Sequence, residues 1–166
     1  MILGMSTSTF TVLHVILSLI GIASGIIVLF GMFSSNRLAG WTALFRATTV
    51  LTSVTGFFFP SAHFGAPHVI GVVSLVVLAV AILALYVYRL AGSWRWIYVG
   101  SAVLALYLNV FVGVVQAFEK LPLLSRLAPT QSEPPFFVAQ LVVMAIFVIL
   151  GVLAVMRFRP LATTPA

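Results

Sequence analysis

Five long apolar segments occupy most of this chain, and they restrict its fold more than any other feature of the sequence. They run approximately over residues 10–32, 41–59, 68–90, 96–118 and 136–156. Each is close to the ~20 apolar residues that an α-helix needs to cross the hydrocarbon core of a bilayer. The sequence therefore predicts an all-α integral membrane protein. We expect one domain over residues 1–166, built as a bundle of five transmembrane helices.

The composition excludes a soluble domain and several kinds of chemistry. Charged residues make up 6% of the chain, whereas a typical soluble domain carries ~25%. Cysteine is absent, which removes disulfides, thiolate nucleophiles and iron–sulfur clusters. The only acidic side chains are Glu119 and Glu133. The sequence contains no P-loop, no dinucleotide-binding glycine pattern and no G-x-S-x-G elbow, so a non-enzymatic role is favoured over an enzymatic one.

The net charge of +6 predicts an orientation in the membrane rather than a nucleic-acid partner, because the basic residues flank the spans. Lys and Arg are enriched in cytoplasmic loops of membrane proteins. An external N-terminus and an internal C-terminus put six arginines at the inner end, leaving only Lys120 and Arg126 outside. The inner six are Arg37, Arg46, Arg89, Arg95, Arg157 and Arg159. This asymmetry is typical of a multi-pass protein of the bacterial inner (plasma) membrane.

The longest connection is the predicted outer loop over residues 119–135. Its first half, LPLLSRL, is amphipathic and is expected to lie along the membrane surface. Its second half ends in Ser132, Glu133 and two prolines, which is a helix-start pattern.

Polar and small residues recur at helical spacing, which predicts faces that point into the bundle. On the first span these are His14, Ser18, Gly21 and Gly25. On the second span a threonine stripe consists of Thr48, Thr52 and Thr55. Small and hydroxyl residues commonly hold transmembrane helices together, and this is the main interpretation.

Arg46 is a charged residue inside the second predicted span. It lies five residues after Trp41, or about 7 Å along a helix. An arginine at this depth can extend to the inner headgroups or cap carbonyls of a neighbouring helix. The functional alternative is contact with an anion or a lipid phosphate.

The predicted topology gathers the histidines and several other polar residues at the outer side. We consider three kinds of site there: axial haem b ligation by His14 and His68, a metal site, and a lipid-soluble ligand such as a quinone. Metal candidates are His14, His63, His68 and Glu119, and candidate polar partners of a ligand are Gln116, Gln140 and Asn109. The structural alternative for His14 is a hydrogen bond to Gln116, Gln140 or a backbone carbonyl. His68, directly after Pro67, also fits an ordinary helix start.

Three functions remain open from the sequence. The first is a non-catalytic accessory or interaction subunit of a membrane complex, which the sparse polar inventory favours. The second is a redox or sensing protein that binds haem b or a quinone on the outer side. The third is a passive conduit or carrier for a small uncharged solute, with Thr48, Thr52 and Thr55 along its path. Partners are expected to be the lipid bilayer and either other membrane subunits or further copies of the chain.

Overall fold

The computed structural model describes residue 2, residues 4–59 and residues 65–160, and every regular element within them is helical. The all-α prediction is therefore confirmed for this part of the chain. Within these ranges six α-helices follow one another: α1 (Thr7–Phe33), α2 (Ala39–Gly56), α3 (Ala66–Ile82), α4 (Trp94–Lys120), α5 (Pro122–Leu127) and α6 (Pro134–Arg157). A π-helical turn, Leu83–Val87, extends α3.

Four helical segments within the described residues are long and apolar enough to cross a membrane, and they identify a multi-pass membrane protein. These segments are Thr7–Phe33, Ala66–Val87, Trp94–Lys120 and Pro134–Arg157. The second helix, α2, has 18 residues but is less apolar, because it carries Arg46 and several threonines.

The helices form an antiparallel bundle in which α4 has the most neighbours. Helix α1 packs most extensively against α2, while α4 contacts α1, α3, α5 and α6. The core is apolar, and α4 contributes the most side chains to it, among them Leu106; Met32 of α1, Phe45 of α2 and Leu78 of α3 also belong to it. Helix α6 lies on the outside of this core, against α4 and, to a smaller extent, α1.

The two ends of the bundle differ in charge. Contacts between helix ends show which residues lie together at one end. At the arginine end, which carries Arg37, Arg89, Arg95, Arg157 and Arg159, Ser35 Oγ donates to the Arg157 carbonyl at 2.7 Å. Arg95 Nη1 donates to the Phe158 carbonyl at the same end. The glutamate end carries Glu119 and Glu133, and α5 follows α4 there.

Two predicted helix ends differ from the structure. Helix α2 ends at Gly56 rather than at residue 59, because Phe57 N–H and Phe58 N–H bond to carbonyls three residues back in a tighter turn. Regular α-helix in α3 ends at Ile82 rather than at residue 90. The π-helical turn follows it, and Arg89 and Leu90 then adopt positive φ angles of 47° and 62°.

A close approach between helices lies at Gly25 of α1, which is buried beside side chains of α2 and α4. A Cβ placed there would lie 2.6 Å from Leu106 Cδ1 and 2.8 Å from Phe45 Cε2. Such distances are well inside van der Waals contact, so the three helices meet this closely only because residue 25 has no side chain. By contrast, the nearest described atom to a Cβ at Gly113 would be Ile22 Cδ1, at 3.6 Å.

We expect Gly25→Ala to lower the free energy of unfolding by about 1–3 kcal/mol, the usual cost of forcing one extra methyl into a packed core. Gly113→Ala is the matched control and should be neutral or slightly stabilising, because its methyl group meets ordinary contacts. Thermal or detergent-driven unfolding of the purified protein, followed by circular dichroism, measures both. A Gly25→Ala protein as stable as the Gly113→Ala protein would show that α1 does not pack this closely.

Candidate functional site

His14 lies on α1 and faces the end of α2. Its Nδ1 is 2.8 Å from Thr55 Oγ1, and its ring meets the ring of Phe59 edge-on at 5.1 Å between centroids. The Thr55 hydroxyl donates its own hydrogen to the Leu51 carbonyl at 2.7 Å. Thr55 therefore accepts from His14, and Nδ1 carries the proton. This arrangement leaves the lone pair of the neutral imidazole on Nε2.

His68 lies in the first turn of α3 and helps to start that helix. Its Nδ1 accepts a hydrogen bond from the Gly65 N–H at 3.3 Å, and its ring centroid lies 5.7 Å from that of Phe57. In a neutral imidazole this cap puts the proton on Nε2. Axial ligation of haem through Nε2 would require the other tautomer and would break the cap. The two histidines thus differ. His14 has its lone pair on Nε2, whereas His68 has its lone pair on Nδ1 and uses it to accept the hydrogen bond at the start of α3.

The predicted metal site is not assembled from the described residues. No group of three His, Cys, Asp or Glu side chains within them lies close enough to hold a metal ion. Glu119 accepts a hydrogen bond from Gln116 Nε2 at 3.2 Å on the exposed surface. His63 falls outside the described residues, so the set of His14, His63, His68 and Glu119 stays a prediction.

Asn109 lies at a junction of three helices, where it connects α4 to α2. Its Nδ2 donates to Thr49 Oγ1 at 2.9 Å, and Thr49 is fully buried. Across the junction, Gly21 of α1 leaves space: a Cβ there would lie 3.3 Å from Thr48 Oγ1 and 3.5 Å from Asn109 Nδ2. The amide therefore holds helices together in the middle of the bundle.

Gln140 connects α6 to α4 and is nearly buried. Its Nε2 donates to the Phe111 carbonyl at 3.2 Å, while its Oε1 has no partner among the described residues. No hydrogen bond joins His14, Asn109 and Gln140 to one another in this part of the chain. The polar residues predicted to share one site are thus distributed over separate helix–helix contacts.

Glu133 organises the connection that leads into α6. Its Oε1 accepts from Thr130 Oγ1 at 2.8 Å and from Thr130 N–H at 3.1 Å, and its Oε2 accepts from Ser132 N–H at 3.1 Å. Desolvation raises the pKa of this carboxyl, but the hydrogen bonds from Thr130 and Ser132 outweigh it and hold the pKa below the ordinary 4.5. The ionised group precedes α6, where the helix dipole favours a negative charge.

Grooves open on the sides of the bundle, and no histidine lines the two that follow, both of which are formed by the described residues. The first, about 530 Å³, lies between α4 and α6 and is lined almost entirely by apolar groups. The second, about 470 Å³, lies between α2 and α3 and has Arg46 on its wall. The threonine stripe of α2 lines neither, and Thr48 instead donates to the Leu44 carbonyl within its own helix at 2.7 Å.

Sequence reasoning missed the pairing of Arg46 with Tyr86. Arg46 Nη2 donates to the Tyr86 hydroxyl at 2.5 Å, and the guanidinium carbon lies 4.8 Å from the centre of the Tyr86 ring. The π-helical turn that carries Tyr86 has no signal in the sequence, so helical spacing alone could not have found this contact.

Comparison of the chain with protein-family models, with curated proteins and with solved structures finds no match.

We expect the Asn109–Thr49 hydrogen bond to contribute measurably to stability. Hydrogen bonds between transmembrane helices average ~0.6 kcal/mol and reach ~1.7 kcal/mol. A double-mutant cycle with Asn109→Leu and Thr49→Val, measured by detergent-driven unfolding, should give a coupling energy in about this range. The exposed Gln116–Glu119 pair is the control, with Gln116→Ala and Glu119→Ala, and should give a smaller coupling. Equal couplings would mean that the buried amide does not link α4 to α2.

Proposed function

We propose that this chain is a non-catalytic accessory or interaction subunit of a membrane complex. The sparse polar inventory supports the proposal, since Asn109, Gln140 and His14 each pair with a neighbouring helix of the same chain. An enzyme or a pump needs polar groups that converge on one cavity. What the chain offers to its surroundings instead is a broad apolar surface.

The face that supports this role is formed by α6 and the adjoining side of α4. Of the 24 residues of α6, only Phe136, Gln140 and Ala154 are buried. Val148 and Val152 line the groove against α4 and are 60% and 54% exposed. A helix that contributes so little to its own bundle has most of its surface available for a neighbour.

Two glycines give this groove its shape. Gly100 of α4 has no described atom within 4 Å of a Cβ built on it, and Gly151 of α6 has Val103 Cγ1 at 3.4 Å. Small residues let transmembrane helices approach closely, because packing rather than the hydrophobic effect drives their association in lipid. Gly21 and Gly25 are already used inside the bundle, whereas Gly100 and Gly151 line an open groove. The proposed occupant is a transmembrane helix of another membrane subunit.

The proposal includes five spans, with α2 as the fifth, in a bacterial inner membrane. At 1.5 Å per residue, the 18 residues of α2 extend about 27 Å, close to the ~30 Å hydrocarbon core. The arginine end then faces the cytoplasm, and the glutamate end faces outward.

We expect Gly151→Leu to release the chain from its complex, because the larger side chain fills the groove. Val76→Leu on the lipid-facing side of α3, which is 58% exposed, is the matched control. The measurement is the fraction of tagged chain that migrates at the mass of the complex after mild solubilisation. Gly151→Leu should lower this fraction at least about threefold, while Val76→Leu should leave it unchanged. A photo-crosslinker at Val148 identifies the neighbour as another subunit or as a second copy of the chain.

Equal fractions for the two variants would contradict the interface. The absorbance spectrum of the chain purified alone tests the role itself, because a non-catalytic subunit needs no bound chromophore. A haem Soret band that disappears in His14→Ala would overturn the proposal in favour of a redox or sensing protein.

We expect reporter fusions to put the two termini on opposite sides of the membrane, since five spans are an odd number. A periplasm-active reporter should work at the N-terminus, and a cytoplasm-active reporter should work at the C-terminus. Activity of both fusions in one compartment would contradict the count of five and would leave α2 as a helix that does not cross the bilayer.

A further inference from the structure

Arg46 is a permanent positive charge on the lipid-facing side of the bundle. It is partly buried on α2, and its Nε donates to the Thr42 carbonyl of the same helix at 3.2 Å. Its Nη2 donates to Tyr86 of the π-helical turn. A guanidinium has five N–H donors. Two of them bond to described residues, which leaves three without a hydrogen bond in this part of the chain.

The chain supplies no acidic side chain to neutralise Arg46. Glu119 and Glu133 both lie at the glutamate end, and there is no aspartate. Arg37 and Arg46 both lie within electrostatic range of the Tyr98 hydroxyl, and Arg37 Nε is buried without a hydrogen-bond partner among the described residues. This end of the bundle therefore carries several positive charges and neither of the two glutamates, which favours the binding of an anion from outside the chain.

The π-helical turn sets the position of Tyr86 beside this charge. Within the turn the Tyr88 N–H bonds to the Leu83 carbonyl, five residues back, at 3.0 Å. One extra residue per turn rotates everything that follows by about 100° relative to a regular helix. Tyr86 then covers one side of the guanidinium while remaining 58% exposed to the surroundings.

An apolar groove continues from Arg46 toward the middle of the bundle. Its lining, apart from the arginine itself, consists of aliphatic side chains of α2 and α3: Ala43, Ala47, Val50, Leu51 and Ile82. Ala47, Val50 and Leu51 follow Arg46 on α2 in the direction away from the arginine end. Ile82 lies one turn before Tyr86 on α3 in the same direction. The groove thus has a charged group at one end and an aliphatic lining beyond it. These match the headgroup and the acyl chains of a phospholipid.

We propose that this groove binds one anionic phospholipid. The lipid phosphate accepts hydrogen bonds from the free edge of Arg46 and from the Tyr86 hydroxyl, and one acyl chain follows Ala47, Val50, Leu51 and Ile82. Arginine suits the phosphate because its planar fork binds two oxygens at once. Free phosphate would satisfy the charge but would leave the aliphatic part of the groove empty, whereas an acyl chain would fill it.

Native mass spectrometry of the delipidated chain tests the site by titration with two phospholipids of identical acyl chains, phosphatidylglycerol and phosphatidylcholine. The wild-type chain should bind the first phosphatidylglycerol more tightly than phosphatidylcholine. Arg46→Leu should weaken phosphatidylglycerol binding at least about fivefold, as expected for the loss of one arginine near a charged lipid. Arg46→Lys keeps the charge but loses the planar fork. Its affinity for phosphatidylglycerol should therefore lie between those of the wild-type and Arg46→Leu chains. Tyr86→Phe should weaken binding by a smaller factor.

Arg159→Leu removes a charge at the same end, where the Arg159 N–H bonds to Ser35 and the side chain does not line the groove, and it serves as the matched control. Ala47→Phe keeps Arg46 but fills the aliphatic part of the groove, so it should also weaken the binding of the first phosphatidylglycerol, and it decides the question if Arg46→Leu does not fold. Equal binding by Arg46→Leu and Arg159→Leu would overturn the proposal. So would displacement of phosphatidylglycerol by excess inorganic phosphate together with unchanged binding by Ala47→Phe, because that result describes a site for a free anion.

Discussion

The close approach of α1 to α2 and α4 at Gly21 and Gly25 is the contact on which the rest of this bundle depends. Lipid is as apolar as the side chains it surrounds, so transmembrane helices associate through packing and hydrogen bonds. At Gly25 the missing side chain admits Phe45 and Leu106 into van der Waals contact with the α1 backbone. At Gly21 the same absence admits the hydroxyls of α2 and the amide of Asn109. The three helices are fixed there at one separation, and α3 and α6 pack around them.

This packing also determines what the polar side chains can do. Lipid offers them no hydrogen-bond partner, so several of the polar groups pair with a neighbouring helix. Asn109 meets Thr49, His14 meets Thr55, and Gln140 meets a carbonyl of α4. A site that binds a cofactor would have to break such contacts or use what they leave over, such as the Nε2 lone pair of His14. The remaining surface is apolar, and the proposed roles in subunit contact and lipid binding both follow from it.

The sequence predicted the helical class and most of the long helices. A long apolar segment in lipid has few alternatives to the α-helix, because its backbone groups must bond to one another. The polar face of α1 was also predictable, since His14, Gly21 and Gly25 follow the helical repeat. The partner of His14 was not predictable, because its contact with Thr55 depends on the distance and the rotation between α1 and α2. Nor could the sequence reveal the contact of Arg46 with Tyr86. That contact depends on one extra residue in a turn of α3, and nothing in the local composition marks it.

The position of α6 on the outside of the core has a consequence for how the chain is made. Synthesis proceeds from the N-terminus, and segments that emerge first begin to fold first. Helices α1 to α4 contain the glycine contacts and nearly all of the buried core, so they can assemble before the last segment has left the ribosome. Throughout that interval the outer side of α4 is uncovered. The packing of α6 onto α4 is then a late step, in which a newly made helix joins a surface that has already formed.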